Sequence, residues 1–409
     1  MKRVIVVGGG PSGMMAAISS ASLKNQVILV EKNPYLGKKL LLTGGGRCNL
    51  TNACAPEELV EHYSKTGDFL RDAFKTLDNR KLIRFFEQRG LKTKVEDKNR
   101  VFPISDKASS ILDVLEKEMK KLGVKILYKK DVRDVIMDKD TVRGVSCSDG
   151  IELLSEKVII ATGGLSYGST GSTGRGIKIA ERTRHKVVGT RPGLVSLELK
   201  KGSSAGLEGL SFLDARLIFI SGKKKFISQR GGLLFTKEGI SGPAVFSASA
   251  EAVKRIDGGK RVYVDIDVLP EKTSEELEKF FLTMTLSYPK RNIKNILSEL
   301  VPARIAGKIL DEAGIRQGEI ITRVKQKDVK NVISFLKGSR FEIVKHGDIE
   351  KAQITCGGVS TKDIDPVSMG SKKVKGMYFA GEMIDIDGDC GGFNLQAAFS
   401  TGYLAGRDK

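Results

Sequence analysis

The sequence has 409 residues, 40% apolar and 29% charged, with a net charge of +20 at neutral pH. That length allows two or three domains around a substantial core. Five cysteines without C-x-x-C spacing exclude a disulfide framework and a structural zinc site, and no apolar run approaches the roughly 20 residues of a membrane span.

A strand is expected from residue 4, which leaves no room for a secretory leader, and a reducing, cytoplasmic setting follows. The basic residues are scattered, the longest run being Lys223-Lys224-Lys225, and Trp is absent. Without aromatic residues interleaved among them they read as a solvated surface that attracts anions in general, so nucleic acid is not expected as a partner.

Residues 4–7 form an apolar run that meets Gly8, Gly10 and Gly13, followed by small residues to Ser22, a second apolar run at 27–30, and Glu31. This order reads as strand, turn, helix, strand, acid, the pattern of a dinucleotide-binding unit. Gly8 permits the tight turn, Gly10 lets backbone N–H groups approach a pyrophosphate, and Gly13 allows close packing of helix on strand. The helix N-terminus faces the phosphates, and the Glu31 carboxylate suits ribose hydroxyls and repels a 2′-phosphate.

The stretch from Gly37 to Asn52 carries Gly44-Gly45-Gly46-Arg47-Cys48-Asn49 and reads as a loop bringing amides, Lys39, Arg47 and Asn49 to a ligand. Residues 57–90 are expected to be helical, 91–103 extended with Arg100-Val101-Phe102-Pro103, and 109–122 an amphipathic helix. Residues 124–128, 131–137, 142–147 and 151–154 alternate as short antiparallel strands. A buried strand at 158–160 runs into Ala161-Thr162-Gly163-Gly164, suited to a second phosphate or ribose contact, and 166–176 forms a flexible loop over the site before a helix at 177–183.

From Pro192 the chain turns strand-rich up to residue 267, and residues 271–335 are amphipathic helices. Strands return at 352–354 and 377–382. The segment Asp385 to Gln396 then opens a helix of small residues, 397–405. A calcium loop fails there because the sixth position is Cys390 and the twelfth Gln396. It reads instead as a glycine turn onto a helix N-terminus that would stabilise negative charge on a reduced flavin.

These motifs together, with Arg-Val-Phe-Pro, Ala-Thr-Gly-Gly-Leu-Ser-Tyr and Gly-Ile-Ser-Gly-Pro-Ala, resemble a bacterial flavoprotein family over nearly the whole length. That family includes aminoacetone oxidases and dehydro-bile-acid reductases. The resemblance implies an α/β fold, with FAD bound by a Rossmann-type domain (1–190 plus 350–409). It also implies an inserted β-barrel-like domain (191–270 plus 336–349) and a helical subdomain (271–335). It places Gly8, Gly10, Pro11, Ser12 and Gly13 on the pyrophosphate, Glu31 and Lys32 at the ribose, and Val132 at the adenine. Lys39, Gly45, Arg47, Asn49, Thr162, Gly163 and Gly164 would line the cofactor, with Gly381, Glu382, Asp385, Gly392, Phe393, Asn394, Leu395 and Gln396 beside the flavin. An aromatic is usual near Ala398, where this chain has Ala, which alters packing around the last helix.

The function expected is an FAD-dependent oxidoreductase in which transiently bound NAD(P)H drives reduction of an activated C=C bond in a small, possibly anionic substrate. Tyr167 is a candidate proton donor and Arg100 a candidate anion anchor. An amine oxidase using oxygen is the first competitor and an RNA-binding or RNA-modifying flavoprotein another. A dithiol-disulfide reductase built on Cys48 and Cys54 is a third.

Overall fold

The computed structural model describes residues 2–63 and 66–407. The strand Arg3–Val7, buried at four of five positions, is the centre of a five-stranded parallel sheet. On one side lie Lys157–Ile160 and then Met377–Phe379, and on the other Gln26–Val30 and then Lys125–Leu127. A central strand buried on both faces needs a continuous apolar run, which residues 4–7 supply.

The expectation of an antiparallel strand at 124–128 needs correcting, because Lys125–Leu127 is the parallel edge of this sheet. The helix Ala108–Lys121 carries the chain back to the starting end, as a parallel connection requires. The other three expected strands do form an antiparallel sheet, Val132–Asp138, Thr141–Cys147 and Glu152–Leu154.

The helix expected at 57–90 is broken into two 3₁₀ turns, Pro56–His62 and Gly67–Leu70, and two short helices, Arg71–Thr76 and Asn79–Glu87. Residues 64 and 65 of that expectation lie outside the described residues. Close approach explains one break, since a Cβ on Gly67 would sit 2.0 Å from the Val60 carbonyl oxygen. Capping explains another, since Asp78 accepts from the Lys81 N–H at 2.7 Å.

The chain divides into two compact units, Met1–Gly193 with Ile349–Lys409, and Leu194–Asp348. The first unit extends past residue 190 because Val187–Gly193 pairs with Ile354–Val359. Its last helix, Phe393–Arg407, packs on the first, Pro11–Ser22, at a distance set by glycine. A Cβ on Gly402 would lie 2.1 Å from the Ser12 carbonyl oxygen, and one on Gly406 2.4 Å from that of Ala16.

In the second unit the strands Leu197–Leu199, Ser211–Ser221, Gly231–Phe235, Gly239–Ser241, Val262–Asp267 and Ser339–His346 close into an antiparallel barrel. Closure comes from pairing of Ser211–Ser221 with Val262–Asp267. The helices at 274–338 share one apolar core with the barrel, Phe281 and Leu336 together with Leu217 and Val264, and do not form a unit of their own.

Candidate active site

In the first unit a solvent-open cleft runs along the carboxyl ends of the parallel strands, where open α/β sheets bind ligands. The turn after Arg3–Val7 forms its floor. Gly8 adopts φ +106°, and a Cβ there would lie 2.5 Å from the Ala161 carbonyl oxygen. A Cβ on Gly13 would lie 1.9 Å from the Gly8 carbonyl oxygen. A Cβ on Gly10 would meet nothing within 4 Å, so the backbone N–H groups that follow it open onto the cleft.

Pro11 and Ser12 begin the first helix at this point, and both line the cleft. Glu31 is oriented by three N–H donors, from Gly9 at 2.6 Å and from the Asn33 main chain and side chain at 2.7 and 2.8 Å. The carboxylate keeps acceptor capacity for hydroxyl groups. Val132, Lys32, Thr162 and Gly163 also line the cleft. The Thr162 hydroxyl oxygen is buried without a hydrogen-bond partner. A glycine cradle, an open helix N-terminus and this orphaned hydroxyl fit a pyrophosphate-containing dinucleotide.

Lys39 and Glu382 line the same cleft as an ion pair. The Lys39 ammonium donates to both carboxylate oxygens, at 2.9 and 2.7 Å, and to the Ser166 hydroxyl at 2.6 Å. Its three hydrogens are thereby committed within the chain. Glu382 also accepts from Ser166 Oγ and from the Thr355 N–H, each at 2.8 Å. Burial opposes ionisation of Glu382, but Lys39 and these donors hold its pKa below the ordinary value.

The two long glycine motifs hold each other. With its amide oriented to satisfy its surroundings, Asn49 donates to the carbonyls of Thr51 and Val101 and accepts from the Gly392 N–H at 3.0 Å. Thr51 Oγ1 donates to Gln396 at 2.6 Å, and Gln396 donates to Leu77 O and Ser400 Oγ. Gly392, at φ +101°, fits because a Cβ would lie 2.4 Å from Thr51. Asn394 and Leu395 are thereby set at the cleft.

Several expected ligand residues stand elsewhere. Arg47 pairs with Glu96 and, at 2.6 Å, with Asp106, and lies 4.2 Å over the Phe102 ring. Exposed Gly45 lies off the cleft too, and Gly13, Gly164, Gly381 and Gly392 serve close packing, although Gly381 also reaches the lining. Asn49, Phe393 and Gln396 act as supports and are absent from the lining, as is Asp385.

Of the catalytic candidates, Tyr167 is outside the lining in a left-handed conformation (φ +54°), its ring 5.9 Å from the Lys39 ammonium. Arg100 donates to the Asp97 carbonyl at 3.1 Å, away from the lining. The dithiol reading does not hold. Cys48 and Cys54 are buried free thiols, and burial pushes the Cys48 thiol up to about 12. The loop at 166–174 is tied to the segment after the second strand, with Lys38 donating to Ser169 O, Asn33 to Thr170 O and Lys32 to Thr173 Oγ1.

Sequence reasoning missed the cations Lys38, Lys130 and Arg175 and the pair Gln353-Ile354, all of which line the cleft. Arg175 follows the left-handed Gly174 at a helix start, a readable signal, whereas Gln353-Ile354 carry no local signature.

Residues 2–408 match the model of the HI0933-like protein Rossmann domain. The chain belongs to this family. Both the fold and the enzyme class expected from the sequence, a Rossmann-type α/β oxidoreductase using FAD, are in keeping with HI0933-like membership. The chain is 33% identical over 409 residues to a 3-dehydro-bile acid delta(4,6)-reductase of Clostridium scindens, covering all of this chain and 98% of that one. It is 32% identical to a ribosomal RNA dihydrouridine synthase of Haemophilus influenzae, covering 98% and 96%. Among solved structures, a 3-ketosteroid delta1-dehydrogenase from Sterolibacterium denitrificans shares the fold with a TM-score of 0.52, 14% identity and 99% coverage of both chains. Among the described residues, no helix is long and apolar enough to cross a membrane, and no cluster of His, Cys, Asp and Glu could hold a metal ion.

Proposed function

We propose that this HI0933-like protein is an FAD-dependent, NAD(P)H-driven reductase of a carbon–carbon double bond conjugated to a carbonyl. The observation that carries the reading is the glycine-cradled cleft with its unpartnered Thr162 hydroxyl, in a chain whose relatives are named for such reductions. A delta-4 3-ketosteroid and a uridine ring share one chemistry, a C=C bond polarised by a carbonyl. Bound FAD supplies hydride to the far carbon of that bond.

The chain's own residues bind and orient. The turn Gly8 to Gly13 and the helix from Pro11 hold the pyrophosphate, and Glu31 holds a ribose. The Lys39–Glu382–Ser166 network fixes the wall of the cleft. The N-terminus of the last helix, at Asn394 and Leu395, presents main-chain N–H groups and a positive dipole end to developing negative charge.

The purified protein should be yellow, and its flavin band should bleach anaerobically with NADH or NADPH. Bleaching by aminoacetone and by neither nicotinamide would overturn the reading in favour of amine oxidation.

Between the two substrate carriers, the net charge of +20 favours uridine in RNA over a free steroid. The exposed hairpin lysines Lys223, Lys224 and Lys225 add to that field. This reverses the weight that the scattered basic residues carry in the sequence, where no partner chemistry distinguishes them. Comparing reoxidation of the reduced protein by a ribosomal RNA transcript and by a steroid enone separates the two.

A further inference from the structure

Arg191 lies directly across from Cys356 in the paired strands Val187–Gly193 and Ile354–Val359. Two positions along, Gly193 faces Ile354, which lines the cleft. Side chains two apart share a sheet face, so Arg191 and Cys356 continue the row that Ile354 begins. On the adjoining segment Ile386 lines the cleft between Asp385 and Asp387. The Arg191 guanidinium acts electrostatically on both carboxyls and on the Cys356 thiol, and that thiol hydrogen-bonds Asp387.

Arg191 is half-buried, yet among the described residues its guanidinium has no hydrogen bond and no ion pair. Asp385 and Asp387 are half-buried as well, and neither side chain accepts from an N–H or pairs with a cation. Set just outside the residues that line the cleft, the guanidinium and the two carboxyls have the Cys356 thiol on Asp387 as their one side-chain hydrogen bond among the described residues, which leaves donor and acceptor capacity for a polar occupant. Burial raises the pKa of both carboxyls, which favours the protonated form.

Building on the reductase reading above, we propose that Arg191 and Asp387 activate the substrate. Arg191 donates hydrogen bonds to the oxygen of the conjugated carbonyl, and the Asp387 carboxyl delivers a proton to the carbon next to it. When the far carbon of the double bond gains hydride from the reduced cofactor, the π electrons move onto the carbonyl oxygen as an enolate, whose charge Arg191 stabilises. The enolate then re-forms the carbonyl as its α-carbon takes the Asp387 proton, leaving a saturated bond and a carboxylate that water reprotonates. Cys356 positions Asp387 through its thiol, and the neighbouring Asp389 adds like charge that favours the protonated form of Asp387.

The test uses the FAD-loaded protein and 4-nitrophenol, whose phenolate imitates an enolate and is read by its own absorbance. Arg191→Met is expected to weaken phenolate binding about 10- to 100-fold, with flavin content and melting temperature held, and Arg191→Lys to restore part of it. Asp387→Asn is expected to keep phenolate binding and to slow substrate reduction about 100-fold or more, with the rate of flavin bleaching by NAD(P)H unchanged. Equal phenolate binding in parent and Arg191→Met would overturn the anchor whatever the turnover, and full reduction rates in Asp387→Asn would overturn the proton donor. A parent that binds phenolate through Arg191 yet reduces no conjugated carbonyl compound would contradict the reductase reading and leave the anchor standing.

Discussion

Glu382 shows how a single side chain at this site is governed by its partners. Its carboxylate is desolvated, and it stays charged because Lys39 and two further hydrogen bonds, from the Ser166 hydroxyl and the Thr355 main-chain N–H, compensate. Its folded pKa therefore lies below the unfolded one. The stability it contributes is present above the ordinary glutamate range of about 4.3, and is lost as pH falls through the lowered value. Glu382→Gln is expected to cost about 2–3 kcal/mol at neutral pH and to flatten the acid limb of a plot of melting temperature against pH. An unchanged acid limb would contradict this assignment. Arg47 illustrates the opposite lesson. A guanidinium beside three glycines looks like an anion ligand, yet its charge is spent on Glu96 and Asp106. Arg47→Ala is accordingly expected to cost up to about 1 kcal/mol and to leave FAD content unchanged by absorbance.

At the scale of elements, the first thirty residues were readable because each feature there is local. An apolar run, three spaced glycines and an acid specify strand, turn and helix with no help from the rest of the chain. The glycine motifs at 44–52 and 387–396 were readable as turns but not as partners, because the bonds from Asn49 to Gly392 and from Thr51 to Gln396 join residues some 340 positions apart. Their role is to fix where the last helix begins. Gln396→Leu would leave the Thr51 hydroxyl without its acceptor and the Leu77 carbonyl with the Ser400 hydroxyl alone. It is expected to destabilise the protein by about 1–3 kcal/mol and to weaken FAD retention on gel filtration, though no residue of the glycine cradle is altered. The strand at 125–127 was misjudged for a related reason, since three residues carry no signal that tells a parallel edge from a hairpin arm.

For the whole molecule, the alternation of strands and helices at the two chain ends and the strand-rich middle gave the architecture, an α/β dinucleotide-binding unit with an inserted barrel. The apolar faces of the helices at 274–338 complete the barrel's core, a relation visible only in three dimensions. Net charge acts on this scale too. If the +20 charge serves an RNA substrate, the logarithm of affinity for a ribosomal RNA transcript is expected to fall linearly with the logarithm of salt concentration, by roughly 0.7–0.9 per phosphate neutralised. Affinity that is flat with salt would point to the steroid alternative. The reductase reading as a whole meets its most direct test in one anaerobic measurement: the flavin band of the NAD(P)H-reduced protein, followed as a uridine-containing RNA or a steroid enone is added. Return of the oxidised band before any oxygen is admitted, with two hydrogens gained by the substrate in its mass spectrum, is the predicted result. A band that stays bleached with both substrates and recovers only in air would contradict it.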